Sequence, residues 1–334
     1  MATMVKATGT ESLAKLAKTA LHDEDAAVEL MIRLRWPNGV ACPKCGGSDP
    51  YRIKPRAQKG RPARRGLFCC RACKRQFSYS TGSVFEASHI SVANWLMAIH
   101  LMSASKKGLS AHQLHRMMGI TYRAAWFINH RLRHAMATNA DVFLKLSGTV
   151  EVDETYVGGK RRAGGRNNNG KPSTGRPQPQ DKVKTPIVAL VERKGRAMAF
   201  PVERVDGRTL QDAIRKHTRP ATTHMMSDDL NAYHALGMGF AGHSTITHST
   251  GEYVRGDVHT NTVEGFFAIF KRGIVGSFHH VSKGHLHLYC DEFAYRYSTR
   301  TALGYTDGDR AAGIVLGAEG KRLTYKQPEG NRAA

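Results

Sequence analysis

Three short acidic clusters carry the residues best suited to chemistry: Val150-Glu151-Val152-Asp153-Glu154, Met226-Ser227-Asp228-Asp229 and His259-Thr260-Asn261-Thr262-Val263-Glu264. The chain as a whole is strongly basic, with 50 Lys and Arg against 27 Asp and Glu and a formal net charge of +23. In such a chain, gathered carboxylates have an electrostatic purpose when they hold something cationic. Hard oxygen ligands suit Mg²⁺, and a pair of such ions serves phosphoryl transfer. The excess of positive charge points to a polyanionic partner whose association is strongly salt-dependent, which is the behaviour of a DNA-binding protein.

The spacing refines this reading. Val150 and Val152 alternate with the acids, so Glu151 and Asp153 point to one face of a strand and Glu154 to the other. Asp228 ends the strand His224-Met225-Met226-Ser227, where a carboxylate emerges at a sheet edge. Glu264 lies in the first turn of a helix beginning near Val263, three residues after Asn261. Lys271 follows two turns later on the same helix face. A glutamate on a metal and a lysine on a nearby phosphate suit that arrangement.

Cys42-Pro43-Lys44-Cys45 and Cys70-Arg71-Ala72-Cys73 are two CxxC knuckles, the ligand pattern of a structural Zn²⁺ site. Cys69 is a competing ligand, and Cys290 reads as a core thiol. Between Tyr51 and Phe85 there are ten Lys or Arg and no Asp or Glu, which suits a zinc-stapled module touching phosphates. Six cysteines used this way fit a reducing compartment better than a disulfide framework. No run of apolar residues is long enough for a membrane span, and Met1 to Glu11 has no secretory apolar region. A cytoplasmic, nucleoid-associated bacterial protein is therefore expected, with no membrane partner.

The elements that must position these groups follow from periodicity. Residues 23–35 predict a helix with acids in its first turn, ended by Trp36-Pro37-Asn38-Gly39. Val92 to Met102, Ala111 to Met118 and Tyr122 to Ala135 predict three more, the last pair spaced as a helix-turn-helix. Arg123, Asn129, His130, Arg131 and Arg133 on its second helix are read as a DNA-backbone-contacting face. Strands are predicted at 149–157, 186–191, 197–202, 224–227 and 244–248, with helices at 209–216, 231–236, 263–271 and 282–297. Three strands, helix, strand, helix, strand, helix is an RNase H-like α/β layout. The expected organisation is a zinc ribbon with its leading helix (20–86), a helical helix-turn-helix-like segment (90–138), an RNase H-like catalytic domain (147–300) and a loosely ordered tail (301–334). Lys160 to Gln180, rich in Gly, Asn and Pro and without acids, reads as a mobile basic loop.

Several segments also resemble one group of bacterial insertion-sequence transposases. Arg35-Trp36-Pro37-Asn38-Gly39 before the first knuckle, then Gln76-Phe77-Ser78 and Thr81-Gly82-Ser83-Val84-Phe85, are similar to the ends of that group's zinc ribbon. Val152-Asp153-Glu154-Thr155-Tyr156-Val157-Gly158-Gly159-Lys160 resembles the strand with its first catalytic aspartate. The stretch from His259 to Gly273 resembles its third catalytic segment, and Asp291-Glu292-Phe293-Ala294-Tyr295-Arg296-Tyr297 its closing helix. The resemblance covers roughly residues 20–300. It implies a DDE transposase that nicks double-stranded DNA at terminal inverted repeats and joins the freed 3′-hydroxyl to target DNA. Two Mg²⁺ (or Mn²⁺) would sit on Asp153, Asp228 and Glu264, with Lys271 and Arg272 on DNA. Asp229 is the alternative to Asp228, and Asn261 to Glu264, because members of the group differ in whether Asn or Glu counts as the third ligand. Synapsis of two DNA ends would need a homodimer or higher multimer. The competing reading is a DNA-binding regulator built from the same parts without catalysis.

Overall fold

The computed structural model describes residues 23–54, 65–137, 145–158, 184–229, 233, 239–247, 251–252 and 254–323. The chain divides into two compact units, one of residues 1–138 with 299–334 and the other of residues 139–298. The basic loop expected at Lys160 to Gln180 lies outside the described residues, as does the 231–236 helix except for Tyr233.

In the first unit, helix α1 (Glu24–Arg35) starts at an Asp23 cap whose side chain accepts from the Asp25 N–H. It buries Ala27, Val28, Leu30, Met31 and Ile32. The ribbon follows as an antiparallel sheet of β1 (Pro50–Arg52), β2 (Leu67–Cys70) and β3 (Gln76–Ser78) in that order. Three strands this short enclose little, and their apolar interior is the aromatic cluster of Trp36, Phe68 and Phe77, with ring centroids 5.6–6.1 Å apart. Such a sheet needs a staple, and the knuckle cysteines are placed to provide it.

Helices α2 (Val92–Ala104), α3 (Ala111–Met118) and α4 (Tyr122–Met136) are each capped by a hydroxyl, from Ser91, Ser110 and Thr121. Gly119, at φ 64°, closes α3 in the left-handed conformation that glycine adopts freely, giving the helix-turn-helix-like pair. The expected DNA-contacting face on α4 needs correction. Arg131 and Arg133 are buried, at 4% and 2% exposure, as are Asn129 and His130. The Arg131 guanidinium donates to the carbonyls of Val84 and Glu86, and Arg133 and Asn129 donate to that of Leu109. These side chains serve carbonyls of irregular backbone that helix and sheet leave unpaired. Arg123, in the first turn of α4, is exposed and keeps its candidacy.

The expected loose tail is also corrected up to residue 323. Residues 307–316 form helix α8, opened by a capping box between Thr306 and Asp309 and packed on α1, α2 and α4. Beyond it the chain runs back along residues 82–84, with Gly320 N–H to Gly82 O at 2.9 Å and a bridge between Ser83 and Glu319. A Cβ on Gly317 would lie 2.3 Å from the Ala135 carbonyl oxygen, so only glycine fits there. The Lys321 ammonium donates to the carbonyls of His134 (3.0 Å), Ala135 (3.4 Å) and Ala137 (2.6 Å), supplying both hydrogen bonds and favourable charge to the end of α4. Lys321→Met is expected to lower stability by about 1–3 kcal/mol, the cost of leaving those acceptors unserved. Chemical denaturation reads this, and an unshifted midpoint would mean water serves them equally well.

The second unit is built on a five-stranded sheet. Strands β4 (Leu146–Val157), β5 (Thr185–Glu192) and β6 (Ala197–Pro201) form an antiparallel meander. Strands β7 (Thr218–Asp228) and β8 (Gly242–Ile246) then run parallel to β4, giving the order β6-β5-β4-β7-β8. This is the RNase H-like arrangement, with the first strand at the centre. One face carries helix α5 (Gly207–His217), where Leu210 and Ile214 pack with Val150, Val152, Val188, Leu190, Met225 and Tyr233. The other carries α6 (Asn261–Gly273) and α7 (Leu286–Ser298), where Phe266, Phe267, Phe270 and Phe293 pack with Ile187, Ala189 and Val191. Strand β5 is buried on both faces because helices cover both sides. Among the described residues no helix is long and apolar enough to cross a membrane.

Candidate active site

Alternation along β4 sends Val150 and Val152 into the α5-side core and leaves Glu151 and Asp153 on the α6 side. In the parallel pairing of β4 with β7, Glu151 stands opposite Met226. Asp153 and Asp228 lie two residues further along each strand, so both project from that same face. Strand alternation therefore puts the first two carboxylates on one face, and the charge of Asp228 is felt at Asp153. The third comes from α6, whose first turn carries Glu264. Its Oε1 accepts from the Thr260 hydroxyl at 3.0 Å.

These acids sense one another. Burial pushes the Asp153 carboxyl up to about 7, opposed by the Glu154 N–H that donates to it at 2.7 Å. The charges of Glu154, Asp228 and Glu264 push it further in the same direction. Glu154 points to the other face, where burial also raises its pKa and the Tyr233 hydroxyl donates to it at 2.7 Å. Asp228 is half-buried and its charge acts on Asp153, whereas Asp229 is exposed. Asn261, Lys271 and Arg272 are exposed on α6. Such mutual repulsion in a partly buried setting is what a divalent cation relieves, and carboxylate oxygens are the right ligands for Mg²⁺ or Mn²⁺.

A stability signature follows for the metal-free protein. Folding raises the Asp153 pKa from 3.8 to about 7, so folding favours the protonated form. The stability it confers is complete below 3.8 and is lost as pH rises through about 7. With metal chelated, the melting temperature should fall over that window, and Asp153→Asn should flatten the fall. An equal fall in both proteins would refute the assignment.

The cysteines form a separate and tighter cluster. The sulfurs of Cys42, Cys45, Cys70 and Cys73 all lie within 4.8 Å of one another, with Cys42–Cys73 at 3.8 Å and Cys45–Cys70 at 3.6 Å. A tetrahedron of thiolates about 2.3 Å from zinc has edges of about 3.8 Å, so the four sulfurs fit that ion. Cys69 lies instead near the carbonyls of Cys70 and Lys74, outside this set. Cys290 is fully buried in the α6-side core. Among the described residues the four cysteines are the group of metal-type ligands drawn this closely together, and Asp153, Asp228 and Glu264 stand wider apart.

Residues 145–298 match the ISXO2-like transposase domain, and residues 22–76 match the transposase zinc-ribbon domain. The chain carries both of these transposase domains. Both site clusters of the transposase fall inside the matched segments. A relative described as an uncharacterized protein in transposable element ISH50 of Halobacterium salinarum is 27% identical over 285 residues, covering 82% of this chain and 90% of the relative. Among solved structures, the Mos1 strand transfer complex gives 11% identity, 69% and 79% coverage of the two chains and a TM-score of 0.29. A pre-cleavage Mos1 transpososome gives 10% identity, 93% and 99% coverage and a TM-score of 0.17. These two likenesses are too distant to bear on the site.

The transposase also contains groups that spacing alone did not assign. Tyr233 ties the segment after β7 to Glu154, though no local pattern marks it as a partner. Glu151 is 0% exposed, and its position two residues before Asp153 on one strand face was the available signal. Among the described residues, the histidines at 279, 280, 285 and 287 join no metal-type group.

Proposed function

We propose that this transposase cleaves DNA strands at the terminal inverted repeats of its element and transfers the freed 3′-hydroxyl into target DNA, using two divalent cations held by Asp153, Asp228 and Glu264. The observation carrying this reading is the convergence of charge at Asp153, which burial and two carboxylates from separate elements all push toward protonation. When bound, the ions would activate the attacking water or 3′-hydroxyl and stabilise the leaving oxygen. The chain's own groups orient these ligands. The Glu154 N–H fixes the Asp153 carboxylate, and the Thr260 hydroxyl steadies Glu264. Lys271 and Arg272, two turns along α6 from Glu264, suit phosphate contacts beside the cleaved bond. The charge of +23 supports DNA as the partner, in the cytoplasm where bacterial DNA lies. Joining two ends calls for two active sites, and hence for a homodimer or larger assembly on DNA.

The third ligand is decided by comparing Glu264→Gln with Asn261→Ala on DNA carrying the element's ends. Glu264→Gln should abolish Mg²⁺-dependent nicking with DNA affinity intact, while Asn261→Ala keeps most of the activity. The reverse pattern would transfer the role to Asn261. Retained nicking in both would sink the carboxylate assignment at α6.

A further inference from the structure

Helix α6 begins without the usual cap. Thr260 occupies the capping position, but its side chain makes no capping hydrogen bond to the backbone of the first turn and its hydroxyl donates to Glu264 instead. Helix starts leave N–H groups without intrahelical partners, and here a carboxylate from a strand far away in sequence takes their place. Glu151 Oε2 accepts from the N–H of Thr262 at 2.7 Å and of Val263 at 3.1 Å. Its Oε1 accepts from the Thr262 hydroxyl at 2.8 Å and from Arg193 Nε at 2.8 Å. His259 Nδ1 stands 3.3 Å from the same oxygen, at ion-pair distance. Arg193 in turn donates to the His259 carbonyl at 3.2 Å, binding the approach to the helix as well as its start. The carboxylate is 0% exposed.

We propose that Glu151 is a positioning residue that fixes the reach of Glu264 toward Asp153. The inference rests on reading Glu264 as a metal ligand. Glu151 and Asp153 share one face of β4, so the strand that presents the first carboxylate also clamps the helix that presents the third. The negative charge at the start of α6 is also favoured by the helix dipole. The Thr262 and Val263 N–H groups, the Thr262 hydroxyl and Arg193 Nε all donate to Glu151, which a carboxylate matches with both oxygens. A glutamine of the same shape must turn its NH₂ toward one of the two pairs and lose at least one of those hydrogen bonds. An aspartate keeps the acceptors but is one methylene short. The clamp's hydrogen bonds involve neither Lys271 nor Arg272, so its loss should appear at the metal and not in DNA affinity.

The test measures Mn²⁺ binding to the zinc-loaded, DNA-free protein by electron paramagnetic resonance, alongside DNA affinity and nicking. Wild type, Glu151→Gln, Glu151→Asp, Thr262→Val and Glu264→Gln are compared. Glu151→Gln should weaken Mn²⁺ binding about 10–100-fold, as loss of groups that orient metal ligands does. Excess Mn²⁺ should restore part of its nicking, Glu151→Asp should recover part of the affinity, and DNA affinity should hold. Wild-type Mn²⁺ affinity in a folded Glu151→Gln protein overturns the proposal. If that variant does not fold, Thr262→Val decides. It removes one of the four hydrogen bonds at little change in shape, and an unchanged Mn²⁺ affinity there also overturns the proposal. Glu264→Gln separates the two claims. If it binds Mn²⁺ normally, the reading of Glu264 fails; if it is weakened while Glu151→Gln is not, only the positioning role fails.

Discussion

Asp153→Asn should reduce metal-dependent strand cleavage by about 1,000-fold or more, the equivalent of roughly 4 kcal/mol of transition-state stabilisation. The substitution changes one oxygen to nitrogen and no volume, so packing of β4 between its neighbours is preserved. What it removes is the charge that Asp228 and Glu264 repel in the metal-free state. The same variant should therefore melt higher than wild type above pH 7 when metal is chelated, because a buried group under like-charge repulsion has become neutral. Lost activity together with gained stability distinguishes a ligand from a scaffold residue, whose replacement lowers both. Cleavage within about tenfold of wild type would remove Asp153 from the site, since a direct metal ligand contributes more than that.

Cys42→Ser should cost the ribbon its fold. Structural zinc contributes about 10–16 kcal/mol of apparent folding free energy in small zinc peptides. The ribbon has little else, since three short strands enclose one aromatic cluster around Trp36. Zinc content should drop from one per chain to near zero, and proteolysis should open between α1 and β3. Helices α2, α3, α4 and α8 pack among themselves and should stay protected. Recognition of the element's ends should be lost, because Arg52, Arg71, Lys74 and Arg75 are no longer held in place by the folded ribbon. Zinc analysis, limited proteolysis and binding to end-sequence DNA read the three effects. Normal binding by the zinc-free variant would mean the ribbon serves another purpose.

Much of the candidate site was legible because its signals are local. The alternation of Val150 and Val152 with the acids gives both the strand and the side of Asp153, and two CxxC pairs give the zinc cluster. The strand and helix order was sufficient for the RNase H-like arrangement. What escaped depends on partners distant in sequence. Arg131 and Arg133 look like a solvent face, yet they serve carbonyls at Val84, Glu86 and Leu109 that only the folded chain brings near. Glu151 looks like one more acid of a cluster until α6 arrives with its bare N–H groups. The tail reads as loosely ordered, yet Thr306 and Asp309 form a capping box, and Gly317 is required by close packing. Strand β7 starts six residues before the expected strand at 224–227, because Thr218 and Thr223 are buried through hydrogen bonds to the carbonyls of Ile214, Leu146 and Arg219.

The most direct measurement incubates the purified transposase with DNA carrying the sequences that flank its own gene, a target plasmid and Mg²⁺, and maps the products on sequencing gels. The account predicts a nick at one fixed position at each end, followed by covalent joining of that 3′-hydroxyl to target DNA, both abolished by chelation and by Asp153→Asn. Tight binding at the ends with no nicking under Mg²⁺ or Mn²⁺ would contradict it, and would leave a DNA-binding derivative of a transposase in its place.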